Sequence, residues 1–281
     1  MMEISGGRVN KISSLEHSIS KTYSDGGIVK GLGVSAHQRW KNEITALSSY
    51  KEKTFEPLRV PNIISTNEQT LTTIIERINA NPIEDIINQN VFFFTDDRAV
   101  KLALILKRIH SSKKIINSNV YRQYMDTFNL YAQKTLPLLS KERIDGNKIT
   151  KWMGKSLSKL NSSQEIVSIH SDFWLENILV DAEYNFYVID WEFFSMGSLY
   201  EDLGVFYANV HEHFPELQDF CRVFFNAYDP YIDFELIRAF GVYRCIRLLS
   251  YVDMDDYEKE PIERPHSFKE LINIVRKNVY N

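Results

Sequence analysis

The most constraining stretch of this sequence is Ser168–Phe194, SIHSDFWLENILVDAEYNFYVIDWEFF. It contains two short apolar runs, NILVD and FYVID, joined by the turn segment AEYN, and this pattern predicts a β-hairpin. Polar residues flank the hairpin: His170, Asp172 and Asn177 fit the pattern H-x-D-x-x-x-x-N, and Asp190 ends the second run. A packed core does not need polar residues at these places, but a phosphate site does. Because a hairpin returns the chain, we expect Asn177 and Asp190 to lie close together.

This spacing suits phosphoryl transfer. The reaction needs a group that orients the acceptor hydroxyl and takes its proton, which Asp172 can supply. It also needs Mg²⁺ to neutralise charge on the phosphate oxygens. The amide oxygen of Asn177 and the carboxylate of Asp190 are hard oxygen ligands that suit Mg²⁺. The competing interpretation is that the three residues only form turns and caps, as Asp and Asn often do.

The N-terminal part of the chain predicts a small sheet with one helix. The segments VNKISSL, HSISKTY, VPNIIST and QTLTTIIERI alternate or are rich in β-branched residues, as strands are. The segment SAHQRWKNEITALSSYKE predicts a helix with Ser35 as its N-cap.

A boundary is predicted at Asn79–Pro82, and the pattern beyond it is mainly helical. The strongest helical signal is RAVKLALILKRIHSSK, in which Val100, Leu104 and Ile109 are predicted to lie near one stripe. Residues 115–160 predict two more helices, and helices follow Tyr200 with breaks near Pro230 and Pro261.

Composition favours a soluble cytoplasmic protein. The chain has 281 residues and a net charge of −4, no apolar run of membrane-spanning length, and a start without the apolar core of a signal peptide. We expect no membrane and no nucleic-acid partner; the sequence sets no oligomeric state. Cys221 and Cys245 do not form a metal-type pair, so we expect reduced core thiols, with a disulfide between them as the open alternative.

Three segments carry a family resemblance. HSDFWLEN, VIDWE and YEDLG resemble the motifs of the aminoglycoside phosphotransferase/choline kinase family, small-molecule kinases with a protein-kinase-like fold. Ser171 stands where that family usually has Gly. The resemblance implies a bilobal α+β fold, with residues 1–79 as an N-terminal nucleotide-binding lobe built on an antiparallel sheet and one helix. Residues 80–281 would form a larger, mainly helical catalytic and acceptor-binding lobe.

The same resemblance implies ATP and Mg²⁺ as cofactors and assigns roles to residues. Asp172 would be catalytic, and Asn177 and Asp190 would bind the metal. His170 would hold the loop rather than act as a base, and Asp202 would anchor the loop by hydrogen bonds. In the N-terminal part, the matching positions are the phosphate-covering turn Gly6, Gly7 and Asn10, the phosphate-binding Lys21, its ion-pair partner Glu43, and the adenine-facing backbone of Glu76, Arg77 and Ile78.

The leading hypothesis is therefore an ATP-dependent kinase that phosphorylates a hydroxyl of a small molecule. Residues 1–160 carry 24 Lys and Arg against 15 Asp and Glu, whereas residues 161–281 carry 9 against 22. This acidic part includes Glu192, Glu201 and Asp202 among many tyrosines, which favours a cationic acceptor: an amino alcohol, an aminoglycoside or an amino sugar. Alternatives are a kinase of a neutral sugar or glycan, a protein kinase, and a nucleotide-binding pseudokinase. Against a protein kinase, IDWE replaces D-F-G and no A-P-E segment follows.

Overall fold

The structure is a computed structural model that describes residues 2–3, 10–25, 34–51, 56–89, 95–162, 165–214, 217–251 and 268–280. Its strands are β1 (Met2–Glu3), β2 (Lys11–Ser14), β3 (Ser18–Thr22), β4 (Ile63–Asn67), β5 (Thr72–Glu76), β6 (Asn81–Pro82), β7 (Lys114–Ile116), β8 (Glu165–Ile169), β9 (Ile178–Val180), β10 (Phe186–Val188) and β11 (Ser195–Gly197). Its helices are α1 (Ala36–Tyr50), α2 (Ile83–Gln89), α3 (Asp96–Ser111), α4 (Val120–Lys141), α5 (Gly146–Leu157), α6 (Leu199–His213), α7 (Gln218–Tyr228), α8 (Phe234–Leu249) and α9 (Phe268–Tyr280). The predicted α+β class, with an antiparallel sheet near the N-terminus and a mainly helical remainder, is confirmed.

The chain divides into two compact units, and each unit is made of two separate stretches. Unit 1 is Met1–Ile109 with His170–Ser195, and unit 2 is His110–Ile169 with Met196–Asn281. All the candidate nucleotide, metal and catalytic residues predicted above belong to unit 1.

Unit 1 is built on a five-stranded antiparallel sheet in the order β1-β2-β3-β5-β4. On β3, Lys21 pairs with Ile12 of β2 and Thr73 of β5, which places it in the middle of the sheet. Helix α1 packs here through Trp40, which forms a small core with Tyr23. The predicted N-cap is confirmed, since the Ser35 hydroxyl accepts a hydrogen bond of 3.2 Å from the Gln38 amide.

The predicted hairpin is confirmed in the second stretch of unit 1. Strands β9 and β10 pair antiparallel, with Val180 opposite Phe186, and β6 adds a third strand beside β9. The Ile189 amide donates to the Asn177 carbonyl at 3.0 Å. The hairpin therefore fixes the backbone before Asp190 against the backbone of Asn177.

Unit 2 has a helical core in which α6 and α8 cross closely. A Cβ on Gly204 would lie 2.5 Å from the Phe240 Cβ, so this crossing requires glycine at residue 204. Helices α4, α5 and α9 contribute further apolar side chains to the same core. Strands β11, β8 and β7 form a short sheet in that order. Strand β11 begins at Ser195, the last residue of the second stretch of unit 1.

The helix predicted over RAVKLALILKRIHSSK is confirmed as α3, but the prediction that the three apolar residues lie near one stripe is wrong. Val100 and Leu104 are 38% and 45% exposed, and only Ile109 of the three is fully buried. The buried face is instead formed by Ala99, Leu102, Ala103, Ile105, Leu106 and Ile109. The reason is the helical period: Ile109 follows Val100 by nine residues, which at about 100° per residue places the two on opposite sides of the helix.

The remaining helical predictions are confirmed where the structure describes them. The two helices expected in residues 115–160 are α4 and α5, and the break at Pro230 separates α7 from α8. Pro261 lies outside the described residues. Cys221 and Cys245 are buried free thiols, so the disulfide alternative is excluded. Of the helices that the structure describes, none is both long and apolar enough to cross a membrane.

Candidate active site

The centre of the candidate site is the Lys21 ammonium group. Its Nζ lies 2.9 Å from Glu43 Oε2, contacts Asp190 Oδ1, and lies 3.8 Å from Glu192 Oε2. Strand β3 supplies the lysine, helix α1 supplies Glu43, and the turn after β10 supplies Asp190 and Glu192. The Lys21 and Glu43 side chains are only 8% and 3% exposed, whereas the Asp190 side chain is 36% exposed. Asp190 is therefore the most accessible of the groups that Lys21 contacts.

The electrostatics keep Lys21 charged. Burial lowers its pKa, but the carboxylates of Asp190, Glu43 and Glu192 outweigh burial, so the Lys21 pKa lies above its ordinary value. For Asp190, burial disfavours ionisation, but the contact with Lys21 lowers its pKa below the ordinary value. Burial raises the pKa of Glu43 to about 7, with Lys21 opposing that rise. Burial and then the charge on Asp190 raise the pKa of Glu192.

The catalytic-loop candidates Asp172 and Asn177 contact each other directly. Asn177 Nδ2 donates to the Asp172 carbonyl oxygen at 3.0 Å and to Asp172 Oδ2 at 3.2 Å. The Trp174 amide also donates to the Asp172 carbonyl, at 3.0 Å. Both side chains are largely buried. Two of these bonds hold the Asp172 backbone carbonyl, and the third holds its carboxylate beside the Asn177 amide.

Two residues of the site have left-handed backbone conformations. Ser171 has φ 66° and Asp190 has φ 62°. Non-glycine residues seldom adopt this conformation because it brings Cβ close to the following carbonyl oxygen. The first position is the one where the resembled family usually has Gly, so the structure gives a physical reason for glycine there. Ser171 Oγ lies 3.1 Å from Ser195 Oγ.

His170 ties the catalytic loop to the segment before Asp190. Its Nε2 lies 2.9 Å from the Ile189 carbonyl oxygen, and since a carbonyl only accepts, Nε2 carries the proton. Its ring also packs against buried Trp191, with centroids 4.5 Å apart. Both contacts agree with the structural role expected for this histidine.

The donor set of Asn177 and Asp190 fits Mg²⁺. Because Asn177 Nδ2 donates to Asp172, the Asn177 amide oxygen is directed away from that carboxylate and is the atom of this side chain suited to a cation. Asp190 adds an accessible carboxylate with a lowered pKa. An amide oxygen and a carboxylate oxygen are the hard ligands that Mg²⁺ prefers.

The segment predicted to meet adenine ends strand β5. The Glu76 amide donates to the Asn62 carbonyl at 2.9 Å, and the Arg77 amide donates to the His17 carbonyl at 3.1 Å. The Glu76 side chain accepts from Asn62, and the Arg77 guanidinium reaches Ser14. Among the backbone bonds of the described residues outside helices and strands, none uses the Ile78 amide. The adenine contact of this segment stays a prediction.

A second buried network adjoins Lys21, and sequence reasoning missed its central residue, Arg39 of α1. Arg39 Nη1 donates to Asn10 Oδ1 and to Glu192 Oε2, both at 2.9 Å, and Nη2 donates to the Ser24 carbonyl at 2.6 Å. Asn10 Nδ2 donates to the same Glu192 oxygen at 2.6 Å. The signal that could have found Arg39 is its position four residues before Glu43, on the same face of the helix. Gly6 and Gly7, the other residues of the predicted phosphate turn, lie outside the described residues.

The acidic residues of unit 2 that were expected to attract a cationic acceptor are bonded within the protein. Glu201 Oε2 accepts from the Tyr124 hydroxyl at 2.8 Å, and Arg247 lies 3.7 Å from its other oxygen. Asp202 is fully buried and lies 3.0 Å from His110 Nε2. In unit 1, Glu192 is likewise held by Asn10 and Arg39. The long-range attraction predicted from these three carboxylates is therefore reduced by burial and pairing.

Known proteins resemble this chain in sequence and in fold. A family model described as phosphotransferase enzyme family matches residues 34–239. The chain is 30% identical over 176 residues to the protein LicA homolog of Metamycoplasma hominis, and the match covers 62% of each chain. The chain thus spans less than two thirds of the length of this curated relative.

Solved structures match nearly the whole chain. Choline kinase LicA from Streptococcus pneumoniae matches with a TM-score of 0.65 and 16% identity, over 98% of this chain and 91% of that one. Aminoglycoside phosphotransferase APH(2'')-Ib, in its ADP-bound form, matches with a TM-score of 0.61 and 16% identity, over 99% and 90%. A glucosamine kinase matches with a TM-score of 0.61 and 12% identity, over 99% and 79%. These matches confirm the predicted kinase-like fold. Since the family model spans well over half of the chain, this protein belongs to the phosphotransferase enzyme family.

Proposed function

We propose that this protein is an ATP-dependent small-molecule kinase that transfers the γ-phosphoryl group to a hydroxyl. The observation that carries the proposal is the arrangement in unit 1 of a buried cation, Lys21, against an accessible metal-type carboxylate, Asp190. The Asp172–Asn177 pair is linked to the same segment through the backbone bond between Asn177 and Ile189. Phosphoryl transfer needs little covalent chemistry from the protein; it depends on positioning and charge stabilisation. The arrangement of Lys21, Asp190, Asp172 and Asn177 supports such a role.

Each residue has a proposed part in the reaction. Lys21, held by Glu43, contacts the ATP phosphates, and the Ile78 amide donates to adenine. Asn177 and Asp190 hold Mg²⁺, which when bound neutralises negative charge on the phosphate oxygens. Asp172 orients the acceptor hydroxyl and accepts its proton, while Asn177 keeps the Asp172 carboxylate in place. Binding ATP requires Lys21 to share its contacts between Asp190 and the phosphates.

We propose that the acceptor carries a positive charge as well as a hydroxyl. The support is the chemistry of the substrates for which the matched structures are named: choline, aminoglycosides and glucosamine each combine a hydroxyl with a cationic nitrogen. The acidic composition of residues 161–281 points the same way, although Glu192, Glu201 and Asp202 are already paired.

The test is ADP release from ATP and Mg²⁺ in the presence of matched acceptor pairs. Choline is compared with 3,3-dimethylbutanol, its uncharged isostere, and glucosamine with N-acetylglucosamine; an aminoglycoside completes the panel. We expect acceptor-dependent ADP release with charged members only, and none above background with Asp172→Asn. Turnover of the neutral members at equal or higher rates would instead support the kinase of a neutral sugar or glycan. ATP binding without acceptor-dependent release across a broad panel of alcohols would support the pseudokinase.

A further inference from the structure

The Arg39 network raises the question of why a fully buried arginine stands beside a phosphate-binding site. Arg39 is 0% exposed, and its partners Asn10 and Glu192 are each 6% exposed. Buried charges are normally paired, and here Arg39 is paired with Glu192, a residue of the turn that carries Asp190. The network therefore joins helix α1 to the turn after β10.

One oxygen atom is the focus of this network. Glu192 Oε2 accepts from both Asn10 Nδ2, at 2.6 Å, and Arg39 Nη1, at 2.9 Å. The same oxygen lies 3.8 Å from Lys21 Nζ, whereas Glu43 Oε2 lies 2.9 Å from that Nζ. The donors therefore hold Glu192 within the electrostatic reach of Lys21 but outside hydrogen-bond distance.

The charge balance shows what the arrangement achieves. Lys21 and Arg39 face three carboxylates, those of Glu43, Asp190 and Glu192. Without Arg39, one lysine would face all three, and Glu192 would be free to close on Lys21 and to repel a phosphate. Asn42 adds a second restraint from α1, since its Nδ2 donates to the Glu192 carbonyl oxygen at 3.0 Å.

We infer that Arg39 is a positioning residue that holds the Glu192 carboxylate away from Lys21 and so keeps Lys21 available for the phosphates of a nucleotide. Asn10 is its partner in this role. The inference rests on the proposed function, because it concerns how the same site receives ATP. Arg39 acts through Glu192 and Lys21 and does not itself contact the reacting atoms.

The test consists of two double-mutant cycles in which the affinity for ATP is measured. The variants are Arg39→Met, Asn10→Ala, Glu192→Gln and the two double variants with Glu192→Gln. The dissociation constant of ATP is measured by calorimetry with Mg²⁺ and with EDTA. Arg39→Met should weaken ATP binding about tenfold or more, the scale of one charge-assisted hydrogen bond, and should raise KM for ATP more than it lowers kcat. Adding Glu192→Gln should restore the affinity to within about threefold of Glu192→Gln alone, because the competing charge is removed.

The matched control is Arg238→Met. Arg238 of α8 is a partly buried arginine that bonds to Asn278, so its loss tests the general effect of removing such a side chain. It should leave ATP affinity unchanged. Thermal unfolding of every variant separates a change in stability from a change in binding.

Each outcome has a defined meaning. Failure of Glu192→Gln to restore binding in Arg39→Met overturns the inference, since a lost structural contact would not be rescued by removing a carboxylate. Normal ATP binding by Asn10→Ala also overturns it, because only net charge would then matter. If Arg39→Met does not fold, the Asn10→Ala cycle carries the test, and rescue there supports the inference. If the wild-type protein does not bind ATP at all, the proposed function fails instead.

Discussion

The left-handed conformation of Ser171 permits a sharp prediction about stability. Ser171 has φ 66° and directly precedes the catalytic candidate Asp172. Replacing it by Gly removes the Cβ that crowds the backbone, whereas replacing it by Ala keeps that Cβ. Both variants lose the hydroxyl that lies 3.1 Å from Ser195 Oγ. The difference between Ser171→Gly and Ser171→Ala therefore isolates the cost of the backbone conformation.

The magnitude follows from two opposing effects. A left-handed conformation costs a non-glycine residue about 1–2 kcal/mol in the folded state. Glycine loses more conformational freedom on folding than alanine. This effect stabilises the alanine variant relative to the glycine variant by about 0.4–1 kcal/mol. The Gly variant should therefore be the more stable by about 1 kcal/mol, or about 2–4 °C in unfolding midpoint if the protein behaves as a domain of 150–250 residues does.

The assay is thermal and urea unfolding of both variants, with an exposed helical position as the control. Ser48 lies exposed in α1, where Ala should be favoured over Gly by about 1 kcal/mol. The difference in unfolding free energy between the Gly variant and the Ala variant should thus have opposite signs at Ser171 and Ser48. Equal signs at the two positions would refute the claim that residue 171 is held in a left-handed conformation in solution.

Three further predictions concern chemistry. Asp172→Asn should keep ATP affinity and lower kcat by about 10²–10⁴-fold, since the proton acceptor is lost. Calorimetry measures the ATP affinity and steady-state kinetics measures kcat. A rate near that of the wild-type protein would show that Asp172 is not the proton acceptor. Asp190→Ala should make the ATP dissociation constant the same with Mg²⁺ and with EDTA; a remaining Mg²⁺ effect would assign the metal to other ligands. Burial raises the pKa of Cys221 to about 12, so its thiolate is scarcer at pH 8 than that of an ordinary thiol. A thiol reagent should therefore modify neither Cys221 nor Cys245 in the folded protein and both after unfolding.

The parts of the site that could be predicted from sequence are those in which chemistry sets residue type and spacing together. Asp172, Asn177 and Asp190 stood out because phosphoryl transfer requires particular oxygen ligands around a hairpin. Lys21 and Glu43 stood out through resemblance, and the structure places them 2.9 Å apart. Their roles in nucleotide binding remain predictions.

What the sequence did not reveal depends on long-range contacts. Arg39 is separated by 153 residues from Glu192, and an arginine within an amphipathic helix is usually exposed to solvent. The pairing of Glu201 with Tyr124 and Arg247 was equally invisible, so composition overstated the charge available to an acceptor. On α3, the helical period decides the buried face, and Val100, Leu104 and Ile109 do not lie on one side of the helix. For Arg39 and Glu201 the deciding interaction involves a residue far along the chain.

The two-stretch construction of unit 1 has a consequence for synthesis on the ribosome. Lys21 and Asp190 are 169 residues apart in the chain, so at about 5–20 residues per second Lys21 is made roughly 8–34 s before Asp190. During that interval the β3–α1 segment holds a lysine and a glutamate without the carboxylates that later surround them. We expect a nascent chain stopped before residue 170 to be sensitive to proteases in its N-terminal part, and one extended past Ser195 to become resistant. Assembly of the candidate site would then wait for the second stretch of unit 1, even though half of its residues are synthesised first.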